Sequence, residues 1–479
     1  MATVRHWRSR AASVWGELPA IARHAGTVLA GQWAVMAFGV TDTVVAGRHS
    51  DAALAALAVG SAIFVSVYVA LMGVVQALLP VWAELHGAHR YPAIGRSVRQ
   101  SLYICGATSV AGMALLLSPA PLLHWADVPV ALRGDVVRYL GVLALGLPAA
   151  LLFRVYSTLN QSLGRPLLVT WLQVGSLALK VPLTIWLTLG GAGMPALGVT
   201  GCAWATIVVH FLLLAIGLWL LRTQPLYRPY AFWKRMEAPD AVQLQAFARL
   251  GVPAGLAILV EITSFTLMAL LIARQGTVAA AAHQVASNLA AVLYMVPLSI
   301  AIATSARVGY WLGAGQAQRA SAAVTAGLGT AAATAVLLAS ILWRARDAIA
   351  GLYTSVPAVA QLAAMLLGWV ALYHCADALQ SVSVFVLRCY RITVKPLLVY
   401  CVLLWGVGTG GGYLLAYGGW HGLGPWPSPE TFWITSAAAL AVTAVLFLLI
   451  VRRAVRTAIT LPADEPPAAA GRRAAPARK

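Results

Sequence analysis

The sequence predicts an all-α polytopic membrane protein whose twelve transmembrane helices form two six-helix lobes, related by a pseudo-two-fold axis along the membrane normal. Three observations lead to this prediction: a strongly apolar composition, apolar runs that recur along the whole chain, and an internal duplication. Hydrophobic residues make up 61% of the 479 residues, charged residues only 10%, and the mean hydropathy is +0.81. Soluble domains carry about 25% charged residues, so the composition favours a chain embedded in a membrane.

Apolar runs long enough to cross a bilayer, about 20 residues each, recur from one end of the chain to the other. The first run is longer than the core of a signal peptide and no small-residue cleavage pattern follows it, so it is expected to remain as a helix. The predicted spans are 20–47, 53–83, 99–120, 135–160, 166–188, 197–221, 247–273, 279–309, 322–345, 358–388, 396–417 and 431–452.

The second half of the chain repeats the first. A shift of 226 residues places Arg48 on Arg274 and Tyr68 on Tyr294 without a gap. Because this shift spans six helices, the two repeats have the same orientation and are parallel repeats. The predicted domains are an N-lobe at 1–221, a cytoplasmic connector at 222–246, a C-lobe at 247–457 and a disordered basic cytoplasmic tail at 458–479.

Basic residues indicate the orientation of the chain. Most of the 33 Lys and Arg fall in the two tails and in every second loop, where the loop after the tenth span carries Arg388, Arg391 and Lys395. The positive-inside bias therefore predicts a multi-pass protein of the cell inner membrane with both termini cytoplasmic. The net charge of +19 is then a topology signal: no nucleic-acid partner is predicted, and the basic tail is expected to contact anionic lipid. The opposite side receives Arg48, Arg133, Arg138, Arg274, Arg344 and Arg346.

The chain lacks the motifs of common enzyme and cofactor classes. No P-loop, dinucleotide-binding, nucleophile-elbow or haem-attachment pattern is present. Neither catalytic residues nor a cofactor is therefore predicted, and ATP-driven transport by this chain alone is not expected. The five cysteines lie in or beside apolar helices and have no C-x-x-C or metal-ligand spacing. They are predicted to pack as small apolar side chains, without a disulfide or a metal.

Three carboxylates stand inside apolar runs of a chain with only 14 acidic residues: Asp42, Glu261 and Asp377. An ionised side chain at the centre of a bilayer costs at least about 2.5–3.5 kcal/mol, so each needs a cation, a proton or a water-filled cavity. This pattern predicts a transport path with the three carboxylates as coupling groups. A structural ion pair or an interhelical hydrogen bond is the alternative for each. No basic residue stands mid-helix in the second half, whereas Lys180 is available to Asp42.

Five stretches share their residues and their spacing with one family of transporters. They are VTDTVVAG at 40–47, LLPVWAELHGAHR at 78–90, LGVPAGLAILVE at 250–261, AAHQVASN at 281–288 and YHCADALQ at 373–380. Together they resemble the multidrug and toxic compound extrusion (MATE) transporters, specifically the bacterial NorM-like branch. The resemblance extends over essentially the whole chain through the twelfth predicted span.

The resemblance implies a secondary active antiporter that acts as a monomer. It would export cationic or amphipathic drug-like compounds in exchange for H⁺ or Na⁺ through rocking of the two lobes. A C-lobe cation site then maps onto Glu261 and Asp377 with Tyr373 close by, and an N-lobe acid maps onto Asp42. Because burial and mutual repulsion disfavour two charged carboxylates at one site, we expect the coupling cation to neutralise the C-lobe pair as a unit. Further residues predicted for the cavity or for gating are His283, Gln284, His374 and Thr184.

The chain departs from the family pattern in the fifth predicted span. The family has an Asn, a Pro and another Asn facing the acid of the first helix, where this chain has Lys180, Pro182 and Thr184. We therefore predict an ion pair between Lys180 and Asp42, in which a tethered ammonium takes the place of a mobile cation. The alternative is that Lys180 extends to the outer interface and never meets Asp42.

Other classes of membrane protein share some of these features. Major-facilitator transporters also have two six-helix halves, but GAHRYPAIGRSVRQ does not match their G-x-x-x-D-R-x-x-R-like loop. A MATE-related flippase of lipid-linked precursors is expected to have a strongly basic cavity, and Lys180 is the only basic residue predicted within the membrane. A membrane-embedded enzyme needs a clustered set of His, Cys or acidic residues, which the sequence does not show.

Overall fold

The computed structural model describes residues 2–125, 128–191, 193–419 and 424–460, and these are almost entirely helical. Twelve helices among them are long and apolar enough to cross a membrane. Each coincides with one of the predicted spans, and most extend a few residues beyond the apolar run. The all-α, twelve-span architecture predicted from the sequence is therefore confirmed.

Short connections join the helices. A break after Gln76 divides the second span into two helices, just before Pro80, whose nitrogen cannot donate a backbone hydrogen bond. In chain order the helices are α1 (Ala2–His49), α2 (Asp51–Gln76), α3 (Leu79–Gly87), α4 (Tyr91–Leu117), α5 (Ala120–Trp125), α6 (Val130–Ser162), α7 (Leu167–Leu189), α8 (Val199–Thr223), α9 (Ala241–Ala273), α10 (Thr277–Gly313), α11 (Ala317–Tyr353), α12 (Pro357–Cys389), α13 (Val394–Tyr400), α14 (Gly411–Tyr413) and α15 (Pro429–Thr460).

The chain folds into two compact units, whose borders differ from those of the predicted lobes. Among the described residues, the N-unit comprises 27–255, and the C-unit comprises 2–26 together with 256–460. Helix α1 therefore begins in the C-unit, and α9 begins in the N-unit. The first residues belong to the C-unit because Glu17 accepts hydrogen bonds there from Arg307 and Trp311, at 2.7 to 3.0 Å.

Helix α6 forms the centre of the N-unit, where it packs against α2, α4 and α8. Its inward residues are apolar over several turns, and Leu140 and Leu147 are fully buried. Helix α7 approaches α8 closely at Gly201, which lies against the backbone of Leu187. A larger side chain would not fit there, as is typical where small residues join membrane helices. This contact fixes the position of α7, which carries Lys180.

The segment between α8 and α9, predicted as a connector, is folded onto the N-unit. It begins with a 3₁₀-helix at Pro225–Tyr230. Arg99 of α4 donates to both carboxylate oxygens of Glu237, at 2.8 and 2.5 Å, and to the carbonyl oxygen of Ala231 at 2.7 Å. Gln100 forms two hydrogen bonds with the backbone of the same segment, each 2.9 Å long. Hydrogen bonds from Arg99 lower the pKa of Glu237 to about 2.

Helix α12 forms the centre of the C-unit, where it packs against α10, α11 and α15. Every residue from 380 to 389 is buried. A helix that is buried on all sides has no solvent-facing polar stripe. The polar residues Asp377, Gln380 and Ser381 of α12 therefore face other protein atoms, and the first candidate site lies among them.

The eleventh span, Val394–Gly418, departs from α-helical geometry. After α13 its backbone is π-helical at Cys401–Gly410, and it is π-helical again at Leu414–Gly418. π-Helical stretches are rare in proteins overall, but those that occur are often found at functional sites. Here the first stretch follows Tyr400, whose hydroxyl bonds to Gln380 of α12.

Two further predictions concern the tail and the cysteines. Helix α15 continues to Thr460, and the rest of the predicted tail at 458–479 lies outside the described residues. The five cysteines all lie among the described residues and form no disulfide there, and Cys105, Cys202 and Cys389 are buried.

Candidate functional site

Glu261 of α9 and Asp377 of α12 meet at one amide group in the C-unit. Nε2 of Gln380 donates to Oδ1 of Asp377 at 2.8 Å and lies 3.4 Å from Oε1 of Glu261. Asp377 is 3% exposed and Gln380 is 1% exposed, whereas Glu261 is half-buried. The structure thus brings together the two carboxylates that the sequence predicts for the coupling site.

The side chain of Gln380 is oriented by its neighbours. Its carbonyl oxygen accepts a hydrogen bond from the hydroxyl of Tyr400, so its amide nitrogen is left to face the carboxylates. Oγ of Ser381 lies 3.4 Å from Oδ1 of Asp377. Because positions 377, 380 and 381 are three and four residues apart, they share one face of α12. That face therefore offers hydrogen-bond donors to Asp377.

Tyr373 and His283, also predicted as site residues, belong to an aromatic cluster. Tyr373 precedes Asp377 by one turn, and its ring stands edge-to-face with Phe265 and Trp433, at centroid distances of 5.8 and 5.9 Å. The ring of His283 lies 5.8 Å from that of Trp433. These rings pack against one another, and Tyr373 places the cluster one turn of α12 away from Asp377.

His374 and Gln284, also predicted as site residues, form no hydrogen bond with Glu261 or Asp377 in the described part of the chain. His374 is buried, and its Nε2 has no partner in the described part of the chain. Gln284 is exposed and donates to Asn288 on the same helix at 3.0 Å. The roles of His374 and Gln284 in the cavity or in gating stay predictions.

Arg388 is a buried cation of the C-unit whose position differs from the predicted one. The sequence assigns it to the loop after the tenth span. In the structure it lies inside α12 and is 2% exposed. Its guanidinium carbon lies 4.1 Å from the ring centroid of Phe385. The prediction that Arg388 belongs to the loop after the tenth span is therefore corrected, because the residue lies in the last turn of α12. The available signal was helical spacing, since the eleven residues after Asp377 make three turns.

Lys180 of α7 and Asp42 of α1 form a buried ion pair in the N-unit. Nζ of Lys180 lies 2.7 Å from Oδ1 of Asp42 and also donates to Oγ1 of Thr206 at 2.7 Å and to the carbonyl oxygen of Cys202 at 3.2 Å. Thr184, another predicted residue, donates to Oδ1 of Asp42 at 3.3 Å. Lys180 is 0% exposed, so the alternative in which it extends to the outer interface does not occur.

The two units therefore differ in their balance of buried charge. In the N-unit the carboxylate is already paired with a cation that cannot leave, and three oxygens satisfy the ammonium. In the C-unit two carboxylates share one amide donor, which leaves an excess of negative charge that a bound cation would relieve. In the described ranges, no group of three or more His, Cys, Asp or Glu side chains could hold a metal ion.

Comparison with known families gives a match in both halves of the chain. A family model described as MatE matches residues 28–186 and 253–414. The two matched segments lie one in each repeat, in keeping with the internal duplication.

Similar proteins match over nearly their whole length. The "Probable multidrug resistance protein NorM" of Aromatoleum aromaticum is 37% identical over 435 residues, which are 90% of this chain and 93% of that protein. The "Multidrug resistance protein PmpM" of Pseudomonas aeruginosa is 34% identical over 414 residues, which are 86% of this chain and 87% of that protein.

Solved structures of low sequence identity share the fold. The eukaryotic MATE transporter AtDTX14 superimposes with a TM-score of 0.82 at 20% identity, over 96% of this chain and 99% of that one. The Vibrio cholerae MATE transporter VcmN in its bent form gives a TM-score of 0.81 at 19% identity, over 93% and 99% of the two chains.

Proposed function

The chain belongs to the MatE family, and from this premise we propose that it is a secondary active multidrug efflux antiporter of the cell inner membrane. It exports cationic or amphipathic organic compounds in exchange for H⁺ or Na⁺. The names of its relatives, which describe multidrug resistance proteins, support this substrate class. The distribution of Lys and Arg supports an orientation with both termini in the cytoplasm.

One observation carries the proposal: Glu261 and Asp377 meet at the amide of Gln380. Two ionised carboxylates at one amide repel each other, so uptake of a cation by the pair is favoured. Occupation of the pair then stabilises one conformation of the protein, and release of the cation stabilises the other. Antiport results when the substrate binds more tightly to the cation-free conformation, because the coupling between the two sites is reciprocal.

The conformational change we propose is alternating access through rocking of the two repeats. Parallel repeats in other membrane transporters move in this way around a central site. Glu261 is half-buried and Asp377 is buried, so Glu261 is the carboxylate that an arriving cation meets first. The ion pair of Lys180 and Asp42 takes up no cation from water and acts as a fixed element of the N-unit.

Broad drug specificity is expected to rely on apolar and aromatic surface. Such surface binds amphipathic cations through burial and cation–π contact, without a fixed pattern of hydrogen bonds. The scarcity of acidic residues in the chain, 14 in all, supports recognition by shape and apolar contact over recognition by multiple ion pairs.

Reconstitution tests the proposal directly. The purified chain is placed in lipid vesicles with a fluorescent cationic dye outside, and gradients of H⁺ or Na⁺ are imposed separately with the cation concentrated inside. We expect dye to accumulate inside under at least one gradient, and the accumulation to vanish when an ionophore dissipates that gradient. Strict dependence on ATP, or no transport under either gradient, would contradict the proposal. Vesicles without protein serve as the control for leakage.

A further inference from the structure

We propose that a groove at one end of the C-unit binds an anionic phospholipid, whose phosphate contacts Arg319 and whose acyl chains lie along α11. The groove has a volume of about 1170 Å³ and lies between the beginning of α1, the first half of α11 and the last turn of α15, where Ile459 lines it. The inference goes beyond the proposed antiport function and does not depend on it.

The groove has the depth of one bilayer leaflet. Helices α1 and α11 are the first and ninth spans, so both begin on the same side of the membrane, and α15, the twelfth span, ends there. Along α11 the lining residues extend from Gln318 to Thr334, a rise of about 24 Å at 1.5 Å per residue. Half of a bilayer with its headgroups is about 20–22 Å thick. A phospholipid that lies in one leaflet therefore matches the length of the groove.

The inner part of the groove is lined by small residues and by threonines. The threonines use their hydroxyl groups within α11: Thr325 donates to the carbonyl oxygen of Ser321 at 3.0 Å, and Thr330 donates to that of Ala326 at 2.8 Å. Thr334 donates to the carbonyl oxygen of Thr330 at 2.8 Å. This wall therefore suits acyl chains better than a polar ligand. The small residues share one face of α11, and they are Ala322, Ala326, Gly329 and Ala333.

The mouth of the groove carries a cation that has no counter-ion in the described part of the chain. Arg319 lines the groove, is exposed, and takes part in none of the ion pairs there. Its guanidinium carbon lies 4.7 Å from the ring centroid of Trp311, a contact that holds the charge at this end of α11. Arg307 lies 5.1 Å from the same ring, but it is paired with Glu17 at 2.7 Å. Of these two arginines, Arg319 is therefore the one that can bind a phosphate.

Two further features favour an anion at the mouth. Helix α11 begins at Ala317 without a side-chain cap among the described residues, so its first backbone N–H groups and the positive end of its dipole lie at this level. Arg456 of α15 is exposed and precedes Ile459, a groove residue, by one helical turn. A phosphate at the mouth would therefore be attracted by two guanidinium groups and one helix terminus.

The charge and the size of the groove select among amphipathic ligands. A cationic compound would meet the like charges of Arg319 and Arg456, so the groove does not suit the cationic compounds proposed as transport substrates. Its volume also exceeds the range of about 300–1,000 Å³ that is typical of drug sites. Trp15, which lines the groove, is 71% exposed, as expected for an aromatic residue at the level of the lipid headgroups. An anionic lipid with two acyl chains fits all three observations.

The test compares the binding of phosphatidylglycerol and phosphatidylcholine to the purified full chain. Native lipid is removed in detergent, each labelled lipid is added back separately, and its Kd is measured. The unmodified chain should bind phosphatidylglycerol more tightly by at least about fivefold, the factor expected for one arginine beside an anionic lipid. Arg319→Gln should reduce this preference by about fivefold. Arg319→Lys keeps the charge and should retain most of the preference.

A second variant tests the position of the acyl chains. A Cβ atom at Gly329 would meet no atom within 4 Å, so Gly329→Leu fills part of the groove without disturbing the packing of α11. It should weaken the binding of both lipids while the Tm in detergent stays near that of the unmodified chain.

The matched controls lie on the same helix, beyond the groove. Arg344 is another exposed arginine of α11, and Arg344→Gln should leave the lipid preference unchanged. Gly351 has surroundings as open as those of Gly329, and Gly351→Leu should leave the Kd of both lipids unchanged.

Several results would overturn the inference. They are equal affinity of the unmodified chain for the two lipids, an unchanged preference in Arg319→Gln, an equal loss of preference in Arg344→Gln, and unchanged binding in Gly329→Leu. Light scattering that shows a dimer of the unmodified chain and a monomer of Gly329→Leu would assign the groove to a second copy of the chain instead. None of these measurements involves transport, so failure of the lipid site and failure of the antiport function are distinguishable.

Discussion

Nζ of Lys180 lies 2.7 Å from Oδ1 of Asp42 in the interior of the N-unit. Thr206 and the carbonyl oxygen of Cys202 complete the hydrogen bonds of the ammonium. A tethered cation therefore stands beside the acid of the first helix. In the C-unit, by contrast, two acids share the amide of one glutamine. This asymmetry between the repeats supports the proposal that the coupling chemistry belongs to the C-unit.

Removal of Lys180 alone should destabilise the chain more than removal of both partners. Lys180→Ala leaves the carboxylate of Asp42 buried without a counter-ion, which typically costs about 3–5 kcal/mol. The double variant Lys180→Ala, Asp42→Ala leaves no buried charge. Thermal unfolding in detergent should therefore give a lower Tm for the single variant than for the double variant.

An exposed ion pair provides the control for this double-variant comparison. Arg138 pairs with Asp135 at 2.6 Å near the surface, where such pairs contribute about 0–1 kcal/mol. Arg138→Ala should therefore change Tm little. If the decrease in Tm of the double variant equals the sum of the decreases in the two single variants, Lys180 and Asp42 do not stabilise each other. The ion pair would then have no role in stability.

Neutral replacements of the C-unit carboxylates should uncouple transport from the cation gradient. Glu261→Gln and Asp377→Asn keep the size of each side chain but remove the negative charge that attracts the cation. Each is expected to abolish gradient-driven dye transport while leaving Tm and dye binding near those of the unmodified chain.

The matched control is a carboxylate elsewhere in the same unit. Glu430→Gln alters a carboxylate that bonds to Trp369 and should preserve transport. The assignment fails if the double variant Glu261→Gln, Asp377→Asn transports dye normally under an imposed gradient.

Replacement of Gln380 should tighten binding of the coupling cation. Gln380→Leu removes the N–H donor that Asp377 and Glu261 share, and loss of such a bond to a buried group costs the anion about 1–3 kcal/mol. Binding of a cation then stabilises the carboxylates by a larger free energy than in the unmodified chain. The cation concentration for half-maximal transport should therefore fall, by about tenfold for every 1.4 kcal/mol of lost hydrogen-bond energy. Transport rate measured against H⁺ and Na⁺ concentration gives this value.

Gln275→Leu is the control for this glutamine. The amide atoms of Gln275 are buried without a hydrogen-bond partner among the described residues, so its replacement should leave the half-maximal concentration unchanged. An unchanged value in Gln380→Leu would mean that the amide does not act on the carboxylates.

Loss of the Arg99–Glu237 contact should loosen the segment between α8 and α9. Glu237→Gln replaces a carboxylate that accepts two hydrogen bonds from Arg99 with a neutral amide. Limited proteolysis at neutral pH should then cleave residues 224–240 faster than in the unmodified chain. Arg96→Ala, which removes an exposed partner of Asp240 at 3.3 Å, should have little effect.

The same contact predicts a pH dependence of cleavage. Because Arg99 lowers the pKa of Glu237 to about 2, the stabilising contribution is complete above the ordinary carboxyl pKa of about 4.3 and is lost as the pH falls toward 2. Cleavage of this segment by an acid-active protease should therefore rise between about pH 4 and pH 2. A cleavage rate that is constant across this range would contradict the role of the contact.

The helices were predictable because each carries its own apolar run. In a bilayer every backbone polar group must form its hydrogen bond within the segment. A long apolar run therefore forms a helix. The ends were less predictable: α11 extends over Ala317–Tyr353, beyond the apolar run at 322–345. The position of the first residues in the C-unit depends on Glu17 and Arg307, which are far apart in sequence.

The site was predictable only where a charge stands inside an apolar run. Asp377 and Lys180 are conspicuous for that reason. Gln380 and Tyr400 are not, because neutral polar residues are common in membrane helices and their meeting depends on the rotation of α12 and α13. Arg388 stands at the end of its apolar run, where basic residues usually face water. Its burial comes from the helices packed around it.

The most direct test of cation-coupled antiport is whether a dye gradient alone moves a cation uphill. Vesicles that contain the purified chain are loaded with dye at equal H⁺ and Na⁺ concentrations on both sides, then diluted into dye-free buffer while internal pH and Na⁺ are followed. Exit of dye should draw H⁺ or Na⁺ into the vesicles, and vesicles with Glu261→Gln should show no such uptake. Exit of dye through the unmodified chain without movement of either cation would contradict cation-coupled antiport.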